Sequence, residues 1–124
     1  MKIGAPTLST LLKENVLEIK FTRRSPKPGD PPTRRMLCTN SQQLLLSENG
    51  LSVLNYRPTG RSPVNRTLNN VVITWDILKQ DYRCVSADDC ELVTQLPADE
   101  QFWEYFNNNI LPMTPAQKIA FINS

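Results

Sequence analysis

The sequence predicts an α+β domain. Three observations carry that reading: β-branched and aromatic residues alternate at 16–23 and 71–78, proline-bearing loops separate these stretches, and an aromatic helical pattern followed by a capping box closes the chain. At 124 residues this is one modest domain, long enough to bury a core without disulfide or metal staples.

Leu8, Leu11 and Leu12 fall at helical spacing after Pro6, so 7–15 reads as a short helix with Thr7 as candidate N-cap. From Val16 to Arg23 the period changes, with Ile19, Phe21 and Thr22 suiting a half-buried strand. Four prolines within 25–32 cannot supply ladder hydrogen bonds and make that stretch a loop. Thr33 to Thr39 returns as the partner strand, with Arg35, Leu37 and Thr39 on one side and Arg34, Met36 and Cys38 on the other. Leu44-Leu45-Leu46 is too short to set a period and Glu48-Asn49-Gly50 is a turn signal, so 41–54 is assigned to short strands or an irregular segment. A second loop spans 58–63. Val71 to Leu78, centred on Val71-Val72-Ile73-Thr74-Trp75, is the strongest strand signal. Tyr82 to Val85 is read as a short strand after the Gln80-Asp81 turn, and Glu91 to Val93 as another short strand or a continuation after the Ala87-Asp88-Asp89 turn. Beyond Leu96-Pro97, the residues Phe102, Trp103, Tyr105, Phe106 and Ile110 give a helix with a broad aromatic face, and Thr114-Pro115-Ala116-Gln117 is a capping box opening a second helix that Ile119 and Ala120, with Ile122 or Phe121, would pack down. The chain thus divides into a helix-plus-strand body at 1–96 and a helical extension at 97–124 packed upon it.

Composition excludes most chemistry. There is no His, which removes the commonest acid–base group, the usual partner of a Ser or Cys nucleophile and the commonest metal ligand. No glycine-rich phosphate loop follows a strand, and no Gly-x-Ser-x-Gly elbow occurs. Neither Asp88 and Asp89 with Glu91 nor Asp76 with Asp81 is expected to form a magnesium or acid–base site, and the adjacent Asp88 and Asp89 are expected to be exposed turn residues. Cys38, Cys84 and Cys90 lack Cys-x-x-Cys spacing and are expected to pack as small apolar groups in a reducing compartment. No apolar run approaches a membrane span and no secretory pattern opens the chain, so a soluble, cytosolic protein without cofactor or metal is expected. The Asn65-Arg66-Thr67 triplet matches a glycosylation acceptor by chance on this reading. Charge is uneven: residues 1–70 are strongly basic and 71–124 acidic, although the net is only +2, so the halves attract.

An ordered set of segments carries a resemblance. Thr7 to Val16, Ile19-Lys20-Phe21-Thr22, Arg34-Arg35-Met36-Leu37-Cys38-Thr39, Thr74-Trp75-Asp76-Ile77 and Asp81-Tyr82-Arg83-Cys84-Val85 resemble the small WYL-related proteins of tailed bacteriophages. The resemblance covers roughly residues 7–95 and leaves the helical tail outside. It implies a small, strongly bent Sm-like or SH3-like antiparallel β-barrel. In larger WYL domains a Trp-Tyr-Leu strand precedes an Arg-x-Phe-x-x-Asp-Arg-Ile type segment. Here Trp75-Asp76-Ile77 stands at the first, and at the second Arg83 and Asp88 match while Val85, Asp89 and Cys90 depart.

Two surfaces are candidates for recognition. Arginines gather around the two proline loops: Arg23, Arg24, Arg34, Arg35, Arg57, Arg61 and Arg66, with Lys27 beside them and Arg83 further on. Of these, Arg34, Arg35, Arg57, Arg61, Arg66 and Arg83 are the proposed nucleic-acid or anion contacts, with Tyr56 and Phe21 as stacking residues. Phe102, Trp103, Tyr105 and Phe106, flanked by Asp99, Glu100 and Glu104, either dock the tail on its own body or anchor a basic partner, including a second copy. Trp75 is expected in the core, with Asp76 facing the other way to orient Arg83 or Arg35. With the resemblance, the expectation is a non-enzymatic phage accessory protein acting in the host cytoplasm by binding a host bacterial protein. Nucleic-acid or nucleotide binding through the arginine loops is the alternative.

Overall fold

The computed structural model describes residues 4–23, 26–58 and 70–124. Helix α1 (Ala5–Glu14) begins earlier than Thr7. Gly4 holds the N-cap position, Pro6 presets the first turn, and the Ala5 N–H donates to Asn70 Oδ1 at 3.0 Å. A side chain 65 positions away does the capping, which no local pattern could announce.

The chain passes directly into β1 (Asn15–Thr22), which pairs antiparallel with β2 (Thr33–Thr39) in the register Val16 opposite Thr39 through Thr22 opposite Thr33. The Arg23 N–H donates to Pro32 O at 2.9 Å and closes the hairpin. Between them, Lys27-Pro28-Gly29-Asp30 forms a turn closed by Asp30 N–H on Lys27 O. Gly29 at φ +90° supplies the left-handed position that a turn with proline before it requires.

Where short strands or an irregular segment were expected, two single-turn helices form: α2 (Gln42–Leu45) and α3 (Glu48–Ser52). Each starts on a serine hydroxyl, Ser41 accepting from the Leu44 N–H and Ser47 from the Gly50 N–H. Gly50 is required by close approach. A Cβ there would lie 2.1 Å from the Leu44 carbonyl oxygen.

The ladder between β2 and β3 (Val71–Asp76) is confined to the last two residues of β3, Thr39 lying opposite Trp75 and Cys38 opposite Asp76, while β3 pairs along its whole length with β4 (Asp81–Ser86). A 3₁₀ turn at Ala87–Asp89 leads to β5 (Cys90–Pro97), which returns to β1 with a bulge at Glu18/Ile19. The result is a five-stranded antiparallel sheet in the order β4-β3-β2-β1-β5. Among the described residues no ladder joins β4 to β5, so hydrogen bonds do not close the expected barrel.

Both faces of the sheet are covered. On one, Leu8 and Leu12 of α1 pack against Leu17, Ile19, Met36 and Val72. On the other, Val16, Leu37 and Trp75 meet Leu44, Leu45 and Leu54 and the tail residues Phe102, Phe106 and Ile110. Double coverage explains why β2 is buried without interruption from Met36 to Thr39.

The tail helix α4 (Glu100–Tyr105) starts on Asp99, whose carboxylate accepts from the Gln101 N–H, and widens into a π-helical turn at Phe106–Ile110. Helix α5 (Pro115–Ile122) carries the expected capping box between Thr114 and Gln117. It buries Ile122 and half-buries Phe121, whereas Ile119, expected to pack, is 58% exposed and Ala120 is also exposed. Cys84 likewise departs from the core position expected of it: it lies exposed on the edge strand β4, one residue before the inward Val85.

Candidate functional site

Where β3 leaves β2, the sheet opens a gap that Arg34 of β2 and Asp76 of β3 bridge. Both side chains are buried, Arg34 at 6% exposure and Asp76 at 1%, and they form an ion pair. Asp76 also accepts from the Lys79 N–H at 3.1 Å, and Arg83 Nε of β4 approaches it at 4.0 Å. Burial pushes the Arg34 guanidinium below its ordinary pKa, Asp76 opposes the shift, and the neighbouring Arg83 and Arg23 add to it. An arginine so placed stays charged, and losing either partner would strand the other in a dry site.

The six proposed arginines do not form one face. Arg34 and Arg83 come together. Arg35 points to the opposite side of β2, 3.8 Å from Glu18 and over the Phe121 ring at 5.5 Å, so Asp76 orients Arg34 and Arg83 and not Arg35. Arg57 is exposed, 3.6 Å from Asp81 and 6.0 Å from the Trp75 ring centre. Arg61 and Arg66 lie outside the described residues. The attraction between the halves is realised in the pairs Arg34–Asp76 and Arg57–Asp81. Tyr56 is buried against Trp75 and Tyr82, so it offers no free ring to a base.

Beside Arg34 and Arg83 lies a cleft of about 210 Å³, walled by Phe21 and Arg23 from β1 and the loop after it, by Cys84 and Ser86 of β4, and by Asp89. Arg23 donates to Asn123 Oδ1 at 2.7 Å, which ties the end of α5 to the rim. Of the thiols, only Cys84 is exposed. Cys38 and Cys90 are buried, the first pushed well above its ordinary pKa and the second to about 12, both chiefly by desolvation.

The aromatic tail cluster divides. Phe102 and Phe106, proposed as partner anchors, are buried in the protein's own core. Trp103 and Tyr105 are half-buried, and burial, reinforced by Glu18, raises the Tyr105 phenol. Trp103 packs edge-on to Phe102 and Phe106 at ring separations of 5.0 and 5.8 Å and forms one wall of an open groove of about 560 Å³. Leu44 and Ser47 also line it, and Asp99 and Glu100 give the groove negative charge.

No family model, curated protein or solved structure matches this chain. Among the described residues no cluster of three or more His, Cys, Asp or Glu could hold a metal ion, and no helix is long and apolar enough to cross a membrane. The exposed carboxylates Asp88 and Asp89 sit on the 3₁₀ turn as expected, Asp88 accepting from the Asn70 amide. The geometry presents a cationic cleft and, separately, an acidic groove lined by Trp103. The arginines were visible in the sequence as charge, but the groove was not, because its Leu44 and Ser47 wall belongs to helices too short to leave a period.

Proposed function

We propose that this chain is a small accessory binding protein of the phage WYL-related kind, built on an Sm/SH3-like module and acting without covalent chemistry on a host protein in the host cytoplasm. The connectivity supports the module: a helix, a four-strand meander, a 3₁₀ turn and a fifth strand returning to β1 is how a short bent sheet rolls towards a barrel. The observation that carries the binding reading is Trp103, held half-exposed by Phe102 and Phe106 at the rim of a groove containing Asp99 and Glu100. A rigid aromatic beside carboxylates suits a basic segment of a partner protein.

The test is capture from bacterial lysate with tagged protein, with Trp103→Ala as the control. The variant is expected to fold and to lose the captured protein. An identical set of captured proteins would leave the tail with a structural role only. Nucleic-acid binding is the second reading, favoured by the convergence of Arg23, Arg34 and Arg83. Its mark is an affinity that falls steeply with salt.

A further inference from the structure

We propose that the cleft between the β1–β2 hairpin and β4 is a binding site for a single phosphodiester group, with Arg83 and Arg23 as its contacts and Arg34 as its buried support. This goes beyond the tail groove and does not depend on it.

The cleft gathers three guanidinium groups from different elements: Arg23 after β1, Arg34 in β2 and Arg83 in β4. Two carboxylates face them, Asp76 buried behind Arg34 and Asp89 at the rim, so one positive charge is left over. That excess matches the single negative charge of a phosphodiester. Asp76 fixes Arg34 and comes within 4.0 Å of Arg83 Nε, which orients the guanidinium before any ligand arrives. The Nε–H groups of Arg23 and Arg34 have no acceptor among the described residues, so the cleft already holds more donors than its own groups satisfy. Its volume of about 210 Å³ compares with ~30 Å³ for one water in the liquid, which leaves room for a phosphoryl group and the start of a sugar. The half-buried Phe21 on the wall provides an apolar surface beside it. The same chemistry is found in small cyclic nucleotides and in a nucleic-acid strand.

Binding is measured on the intact protein by isothermal titration calorimetry, with dimethyl phosphate as probe of the group, with cyclic AMP as a small-molecule source and with short oligothymidylate as a strand. At ~10 times the dissociation constant the site is filled about nine-tenths of the time, and the heat should saturate at one phosphodiester group per chain. Arg83→Ala and Arg23→Ala should abolish the binding, and Arg57→Ala, away from the cleft, should keep it. Binding of cyclic AMP alone assigns a small ligand, and binding of the strand alone assigns nucleic acid. If no phosphodiester binds, or if Arg57→Ala loses binding as fully as Arg83→Ala, the proposal is overturned whatever the lysate capture shows.

Discussion

Asp76 is the residue on which the open side of the sheet depends. It is fully buried, paired with Arg34 and approached by Arg83, and it also receives the Lys79 amide that turns the chain from β3 to β4. Removing it would leave a guanidinium in a dry site, at a cost of about 3–5 kcal/mol. Asp76→Ala is therefore expected to lower the urea midpoint severely, while Arg83→Ala, a half-exposed partner, shifts it by no more than about 1 kcal/mol. Equal midpoints for the two variants would remove Asp76 from this role. The thiols give a second check at this scale. Iodoacetamide should label Cys84 in the native protein and all three cysteines only in urea. Cys90 has a folded pKa of about 12 against an unfolded 9.0. The folded form therefore keeps a proton that the unfolded form gives up, and its contribution to stability, intact below pH 9.0, is lost as pH rises towards 12. The sequence showed Trp75 as core and Asp76 on the other face, because strand alternation fixes both. It did not show Cys84 as exposed, because alternation gives no account of which strand ends as an edge.

Elements with a period or a cap in their own residues were legible. The strand 33–39 and the Thr114 capping box follow from pattern alone, and the strand read over 71–78 forms but ends at Asp76, where the Lys79 N–H on Asp76 turns the chain. The beginning of α1 was not, since Asn70 caps it across the fold, and neither were α2 and α3, single turns whose only local mark is a serine at each start. Their pairing is testable through Gly50. With the Leu44 and Leu45 carbonyls 2.1 and 2.4 Å from a Cβ, Gly50→Ala must push α2 and α3 apart and should cost roughly 1–3 kcal/mol in thermal or urea unfolding. An unchanged midpoint would mean the two turns are not held together. Phe102→Ala belongs to the same scale. It empties a fully buried aromatic position and is expected to cost about 3–5 kcal/mol, far more than any change at the exposed Ile119.

Across the whole molecule, the sheet is covered on both faces, and this decides which predicted recognition residues remain at the surface. The second face needs an apolar cover, and Phe102, Phe106 and Ile110 provide it, which withdraws two of the four aromatic anchors and leaves Trp103 and Tyr105 partly exposed. On the arginine side, alternation along β2 sends Arg34 to the cleft and Arg35 to the other face, towards Glu18 and Phe121, and the fold brings Arg23 and Arg83 to Arg34. Charge along the chain announced a basic surface. Only the topology selects which guanidinium groups share it.

The tail is part of the core, and the Trp103 groove and the arginine cleft are what the fold leaves open at the surface. Native-state hydrogen exchange in rising denaturant tests it most directly. The amides of Phe106 and Leu111, which donate within the tail, should open with the same free energy as those of Leu17 and Cys38 in the central strands. Exchange of the tail amides at a free energy several kcal/mol below that of the strands would contradict the claim and return Phe102 and Phe106 to the list of surfaces free for a partner.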